Sequence, residues 1–319
     1  MRKGLVLEGG GMRGMYTAGV LDVMMERSVE VDGIVGVSAG AVFGCNYKSG
    51  QIGRVIRYNT MYCRDPRYVS LRSLIKTGDL YGEQFCYHDI PEELDPFDAE
   101  AFERNPVEFY VTCTDVLTGK PVYRRCTKGD GTDLQWMRAS ASMPLVSRIV
   151  TAEGYKLLDG GISDSIPIEW MREKGYRKNI VVLTRPEDYR KRKSGGRALF
   201  RTAYRKYPAV AEAIEKRHIM YNETLDKIWE LRKTGEIFVL SPSREIKLSR
   251  IERNPDKLQE MYQLGRQDAH GRFSQRLKES ALFSTSEEIS WGMFRYSGNR
   301  GYIPFRLCVF SNYRSCLRP

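Results

Sequence analysis

The chain has 319 residues, of which 41% are hydrophobic, and a formal net charge of +11. This composition can bury one large domain or two ordinary ones, and it excludes a chain that is disordered or coiled coil throughout. Residues 1–170 hold 19 Lys and Arg against 23 Asp and Glu, a net −4, whereas residues 171–319 hold 32 against 17, a net +15. The second half therefore suggests an anionic partner, either a membrane surface or a nucleic acid.

Neither a membrane span nor a secretion signal is indicated by the sequence. The apolar run that begins the chain is cut short by Glu8 and the glycines that follow, and no segment approaches the ~20 apolar residues of a transmembrane helix. The seven cysteines are odd in number and contain no CxxC pair, so they suggest neither a disulfide framework nor a zinc site. We therefore expect a cytoplasmic protein with reduced thiols, without a metal or cofactor.

The first elements alternate between strand and helix. A strand at 3–7 enters a glycine loop and then a helix, and a second strand at 33–37 leads through a turn into a helix at 39–47. Two parallel strands with a crossover helix begin a doubly wound sheet. Residues 50–104 have a weaker pattern, which predicts a helical, loop-rich insertion.

Regular patterns return after the insertion. The predicted strands are 108–114, 121–125, 155–158, 179–184 and 236–240, and the first two form a hairpin across a turn at 118–119. The predicted helices are 134–141, 168–174, 209–233 and 255–282. The basic run 185–206 is predicted to be solvated, and the tail 290–319 follows neither period.

Two glycine motifs follow the first two strands, and the ends of parallel strands form the edge where ligands bind. Gly9, Gly11 and Gly14 make a GxGxxG string, which alone is a weak sign of dinucleotide binding and also fits a tight turn. The second motif is a GxSxG nucleophile elbow, with Ser38 between Gly36 and Gly40. The two together indicate acyl transfer, because a nucleophilic serine also needs backbone amides to hold the oxyanion, and a glycine loop supplies them.

A serine nucleophile also needs a base. The three histidines, His88, His218 and His270, lie in no motif. Asp159 follows a predicted strand, and Gly160 and Gly161 behind it permit a tight turn. A carboxylate within hydrogen-bonding distance of the serine can act as a general base, although this aspartate could also simply cap the turn.

In this order the glycine loop, the GxSxG serine and the Asp-Gly-Gly string resemble the patatin-like phospholipase family, in particular its bacterial intracellular branch. The resemblance covers roughly residues 3–185, including the run 139–144. It implies a Ser38–Asp159 dyad, with an oxyanion hole from the loop amides of Gly9, Gly10, Gly11 and Arg13. Asp115 matches a recurrent family position, for which we expect a structural role.

The resemblance also implies an architecture. We expect a patatin-like three-layer α/β/α fold with a mainly parallel central sheet over residues 1–185. A basic, mostly helical part over 186–289 and the atypical tail 290–319 would follow.

The expected function is hydrolysis of lipid carboxylic esters, phospholipid or lysophospholipid, with release of fatty acid. One alternative is an α/β-hydrolase triad that uses His218 or His270 after Asp159. Another is a nucleotide-binding module, in which Asp32 would be the acidic residue sought after the glycine loop.

The basic second half suggests a peripheral contact with an anionic membrane. Seven cations lie close together and could contact lipid headgroups: Lys191, Arg192, Lys193, Arg197, Arg201, Arg205 and Lys206. A merely solvated face is the competing interpretation. No nucleic-acid motif accompanies the charge, so we expect no nucleic-acid partner.

Overall fold

A computed structural model describes residues 1–282 of the chain, with side chains described up to residue 275. Its strands are β1 (Arg2–Leu7), β2 (Gly33–Val37), β3 (Glu108–Asp115), β4 (Pro121–Cys126), β5 (Val150–Ala152), β6 (Tyr155–Asp159), β7 (Tyr176–Val182) and β8 (Ile237–Leu240). The predicted tail 290–319 lies outside the described residues.

Helices connect these strands. They are α1 (Met15–Glu26), α2 (Ala39–Ser49), α3 (Arg54–Tyr62), α4 (Leu71–Thr77), α5 (Ala99–Arg104), α6 (Gly131–Ser140), α7 (Ile168–Glu173), α8 (Arg197–Ala203), α9 (Pro208–Lys233) and α10 (Pro255–Leu282). Short 3-10 helices span Gly11–Gly14 and Gly160–Ile162, and a π-helix spans Phe85–Leu94. Helices α3, α4 and α5 and the π-helix all lie within residues 50–104.

The sheet is mainly parallel at its centre. Strands β3, β2, β1, β7 and β8 are parallel neighbours in that order, and β4 and β6 pair antiparallel with β3. Strand β5 then pairs antiparallel with β6. Because β8 lies beside β7, the chain after residue 185 contributes a strand to the same sheet as the first part.

Residues alternate between the two faces of this sheet, as the period of a strand requires. Leu5 and Leu7 of β1 point into a core shared with α1, α2, α6 and α10, while Val6 points into a second core with α7 and α9. Helices therefore cover both faces, and the predicted three-layer α/β/α architecture is confirmed.

The sequence did not predict that β2 and β6 meet end to end along one side of β3. Strand β2 pairs with β3 up to Thr112, and β6 pairs with it from Cys113, while β4 occupies the other side of β3 across this junction. Asp159 is the last residue of β6, which runs antiparallel to β3, a direction that the sequence did not predict. The residues that end β2 and β6 still converge, since the two strands run toward each other.

Two elements were not predicted. Strand β5 has three residues, too few for an alternating pattern to be recognised. Helix α8 lies within the basic run that was expected to be solvated, and none of its seven residues is buried.

Candidate active site

Ser38 occupies a sharp turn between β2 and α2. Its backbone has φ 53° and ψ −123°, a conformation that is rare for a residue with a side chain, and its carbonyl oxygen accepts the amides of Ala41 and Val42. The turn passes very close to β1, because a Cβ added to Gly40 would lie 2.4 Å from the carbonyl oxygen of Leu7. Glycine in the GxSxG motif is therefore a steric requirement here, as the motif predicts.

The Ser38 side chain contacts Asp159, 121 residues later in the sequence. Its Oγ donates a hydrogen bond of 2.8 Å to Oδ2 of Asp159, whose other oxygen accepts the Gly161 amide at 2.7 Å. Both side chains are buried, and the residues are 6% and 7% exposed. The Asp159 carboxylate is thus fixed by the glycine turn behind it and directed at the serine hydroxyl.

Burial and the polar neighbours of Asp159 shift the pKa of its carboxyl in opposite directions. Burial raises the pKa of this carboxyl above its usual value, and this effect outweighs the nearby positive charge of Arg217 and the bond from Ser38, both of which lower the pKa. The carboxyl is consequently a stronger base than an exposed aspartate.

The glycine loop lies directly against the serine. A Cβ on Gly9 would come within 2.9 Å of the Ser38 Cβ. Within residues 1–282, the amides of Gly9, Gly10 and Gly11 donate no hydrogen bond, whereas the Arg13 amide donates to the Gly10 carbonyl oxygen at 3.3 Å. Of the four predicted oxyanion donors, the amides of the three glycines are therefore available to bind an oxyanion. The Arg13 amide is already hydrogen-bonded within the loop. Gly14, the last glycine of the string, is buried at the start of α1.

The run 139–144 holds both members of the pair in place. Ser140 accepts the Ser38 amide on its Oγ at 2.8 Å and donates to the carbonyl oxygen of Thr112 on β3 at 2.6 Å. The carbonyl oxygen of Ser142 accepts the Asp159 amide at 2.8 Å. This role of the run was not predicted from the sequence.

The structure does not bring the histidines to this site. His88 faces Glu92, the His218 ring nitrogen lies 3.1 Å from the Glu215 carbonyl oxygen, and His270 contacts Arg27. The triad alternative accordingly has no geometric support.

The nucleotide-binding alternative also lacks support. Asp32 accepts the Lys3 amide at the beginning of β1, whereas the glycine loop follows the end of that strand. The two features are at opposite ends of the sheet. A ribose ligand at Asp32 would therefore be remote from a phosphate in the loop.

Two cavities meet at Ser38. The first is mainly apolar and lies under the insertion, where its lining includes Phe43, Tyr58, Ile90, Phe97, Leu134 and Met137. The second, which we call the basic cleft, has a volume of about 980 Å³ and is lined by Asp159, the glycine loop and cations that include Arg13, Lys191, Arg217 and Arg250. Gly11, Ser38 and Met143 line both cavities. The serine is thus accessible from an apolar side and from a basic side.

Other predicted features lie apart from this chemistry. The Asp115 carboxylate accepts the Leu117 amide and the Thr118 hydroxyl, and so closes the turn after β3. Within the described residues there is no group of three or more His, Cys, Asp or Glu side chains suited to a metal ion. No described helix combines the length and the apolar character needed to span a bilayer.

Comparison with known proteins places the site within a recognised family. The family model for patatin-like phospholipase matches residues 5–171, and a domain of unknown function matches residues 207–280. The chain is 35% identical over 193 residues to the uncharacterized protein YjjU of Escherichia coli, which covers 58% of this chain and 52% of that protein.

The chain is also similar to two further proteins. Lysophospholipase nte1 of Aspergillus fumigatus is 29% identical over 178 residues, covering 54% of this chain and 11% of that protein. The crystal structure of VipD from Legionella pneumophila aligns with a TM-score of 0.40 at 14% identity, covering 85% of this chain and 66% of VipD. The chain spans about half the length, or less, of these curated sequence relatives.

Proposed function

We propose, for a chain that belongs to the patatin-like phospholipase family, that it hydrolyses lipid carboxylic esters through a Ser38–Asp159 dyad. The observation that carries the proposal is the 2.8 Å hydrogen bond from the Ser38 hydroxyl to the buried Asp159 carboxylate, beside three amides that donate no hydrogen bond within the described chain. The family match and the lysophospholipase named among the relatives support an ester substrate with an acyl chain.

In the proposed mechanism, Asp159 accepts the Ser38 proton as Oγ attacks the ester carbonyl carbon. The amides of Gly9, Gly10 and Gly11 stabilise the oxyanion, and the N-terminus of α2 adds its positive end. Asp159 then protonates the departing alcohol, which leaves an acyl-serine. Water attacks the acyl-serine with Asp159 again as base, and Asp159 returns the proton to the Ser38 Oγ as the fatty acid is released.

The raised pKa of Asp159 suits this role. A base works best when its pKa approaches the working pH, and an exposed aspartate at ~3.9 is far below it. Burial moves the pKa of the Asp159 carboxyl in the favourable direction, while the Arg217 charge limits the shift. The apolar cavity beside Ser38 offers a place for the acyl chain.

Replacement of Ser38 by alanine tests the proposal. We expect the Ser38→Ala variant to lose fatty-acid release from a total lipid extract, measured by mass spectrometry against wild type. The matched control is Ser49→Ala, which removes a buried hydroxyl at the other end of the same helix. Undiminished fatty-acid release by pure Ser38→Ala protein would overturn the dyad.

Substitution of the histidines separates the dyad from a triad. Each of His88→Gln, His218→Gln and His270→Gln should keep the wild-type rate, because none of the three rings contacts Ser38 or Asp159. Loss of activity in one folded variant would favour a triad instead.

Contact with an anionic membrane remains part of the proposal. Helix α8 presents Leu199 at 58% exposure between Arg197 and Arg201, an arrangement suited to a lipid surface, although Glu215 pairs with both arginines. We expect co-sedimentation with vesicles that contain anionic lipid and a decrease as salt rises. Equal binding to neutral vesicles would refute an electrostatic contact.

A further inference from the structure

The basic cleft carries more positive charge than its carboxylates balance. Two of its arginines have partners, since Arg185 pairs with Glu245 at 3.3 Å and Arg190 with Asp226 at 2.9 Å. Six other cations that line the cleft form no ion pair with any carboxylate of the described chain. They are Arg192 and Lys193 and four more: Arg13, Lys191, Arg217 and Arg250. We call these four side chains the cation cluster.

Four carboxylates line the cleft: Glu245, which pairs with Arg185, and Glu8, Asp159 and Asp188. Glu8 accepts the Tyr221 hydroxyl and the Thr184 amide, each at 2.6 Å. Asp159 accepts Ser38 and Gly161, as described above. These neutral donors leave the carboxylate charges in place, but eight cations line the cleft against four carboxylates, so the cleft keeps an excess of positive charge beside the serine.

Burial makes this excess of positive charge costly. Arg13 is only 8% exposed, and its Nε has no hydrogen-bond partner; the Nε of Arg217 is also buried without one. Burial first, and then the charge of Arg185, lowers the pKa of Arg13 to about 10. Buried donors without an acceptor are rare in folded proteins, and at a cleft they suggest a ligand that supplies one.

Lys191 is fixed rather than solvated, contrary to the prediction for its segment. The Asn222 side chain on α9 accepts its amide at 2.9 Å and donates to its carbonyl oxygen at 3.1 Å. Its ammonium lies 4.5 Å from the centre of the Tyr221 ring. Burial, followed by repulsion from Arg217, lowers the pKa of Lys191 to about 7. An anion among these cations would favour its charged form.

We propose that Lys191, Arg217 and Arg250, all outside the matched phospholipase region, form a subsite for the phosphate of the lipid headgroup. The inference rests on the proposed function and adds the residues that would select a phosphate-bearing ester over an uncharged one. With the ester carbonyl at Ser38, the acyl chain extends into the apolar cavity and the glycerol phosphate into the basic cleft. Arginine and lysine suit this ligand, because their hydrogen bonds to phosphate are charge-assisted.

The test compares two esters that differ only in the phosphate. Wild type, Lys191→Met and Arg250→Met would each be assayed on a short-chain lysophosphatidic acid, kept monomeric, and on the uncharged monoacylglycerol with the same acyl chain. The measured ratio is kcat/KM for the phosphate ester divided by kcat/KM for the uncharged ester. We expect each substitution to lower this ratio by about tenfold or more, mainly by raising KM for the phosphate ester. Arg250 is exposed, so its variant remains informative if Lys191→Met fails to fold.

The control is Lys206→Met, which removes one exposed charge from the same basic segment without lining the cleft. It should leave the ratio unchanged. If Lys191→Met and Arg250→Met also leave it unchanged while Ser38→Ala abolishes both activities, the subsite is refuted and the proposed function stands. If Ser38→Ala retains both activities, the proposed function itself fails.

A second measurement separates a headgroup from free phosphate. Inorganic phosphate should inhibit hydrolysis of the uncharged ester and raise the Tm of wild type, and both effects should weaken in Lys191→Met. Both effects together with the changed ratio support a headgroup subsite. Both effects with an unchanged ratio would assign the cluster to free phosphate and overturn the headgroup assignment.

Discussion

Replacing Asp159 by asparagine tests the base while keeping its shape. The asparagine oxygen can still accept the Gly161 amide, and the amide nitrogen then replaces the oxygen that accepts the Ser38 proton. The Ser38 hydroxyl therefore still contacts residue 159 but no longer has a carboxylate oxygen to accept its proton. A positioned general base contributes about 10²- to 10⁴-fold in rate, so the activation free energy should rise by about 3 to 5 kcal/mol.

The fold should tolerate the same change. Because burial raises the pKa of Asp159, the folded state disfavours the ionised carboxylate at every pH above that pKa, and the neutral amide removes this penalty. The free energy of unfolding at pH 7 should therefore stay within about 1 kcal/mol of wild type. Loss of rate without loss of stability identifies a catalytic defect.

The assay is hydrolysis of a soluble p-nitrophenyl ester as a function of pH, with urea denaturation of the same samples. Wild-type activity should fall as the pH drops through the raised pKa of Asp159, and Asp159→Asn should show only a low residual rate. The control is Asp115→Asn, another buried aspartate, whose carboxylate serves the turn after β3. A folded Asp159→Asn protein with more than a tenth of the wild-type rate would refute the role of this residue as base.

Three further predictions concern stability. Ser140→Ala removes the acceptor of the Ser38 amide and should lower the free energy of unfolding in urea by about 1 to 3 kcal/mol. Gly40→Ala should lower the free energy of unfolding by about 1 to 3 kcal/mol or more, because there is no room for its Cβ. Gly271→Ala, where the Cβ meets open space on α10, should raise the free energy of unfolding by up to about 1 kcal/mol. Lys191→Met should stabilise the protein at pH 6 by on the order of 2 kcal/mol, allowing for partial exposure, and by much less at pH 10.

The sign of the Lys191 prediction follows from its lowered pKa. The unfolded chain binds this proton up to about pH 10.4, whereas the folded protein releases it near pH 7. The cost of charging Lys191 therefore grows as the pH falls through this interval and is complete below it. Equal stabilisation by Lys191→Met at pH 6 and at pH 10 would contradict the lowered pKa of Lys191. Equal effects of Gly40→Ala and Gly271→Ala on the free energy of unfolding would contradict the close packing at the nucleophile elbow. An unchanged unfolding free energy for Ser140→Ala would show that its hydroxyl is dispensable.

The parts of the site that the sequence predicted are those that need a particular residue type at a fixed spacing. Ser38 and Asp159, which contact each other in the structure, were selected as candidates because sharp turns next to strands require glycine, which leaves a recognisable string. The direction of β6 was missed because alternation reports the faces of a strand and carries no information on its direction. Strand β5 was missed because three residues contain less than two periods.

The cation cluster was missed for a different reason. Its members come from separate elements, and nothing in the spacing of Lys191, Arg217 and Arg250 indicates that they meet. A weak signal exists for Arg217, which falls on the buried stripe of α9 between Ile214 and Tyr221. An arginine on a helix face that is otherwise apolar needs a polar environment or a partner.

The end-to-end junction of β2 and β6 along β3 has a consequence for the growing polypeptide. A nascent chain that has emerged to residue 150 holds the serine, its elbow and the whole of β3, but not Asp159, which arrives only with β6. Domains fold from the N-terminus during synthesis. Under the proposed dyad, chains interrupted before β6 pairs lack the carboxylate that would activate Ser38, so we expect premature termination to produce inert protein and not an unregulated esterase.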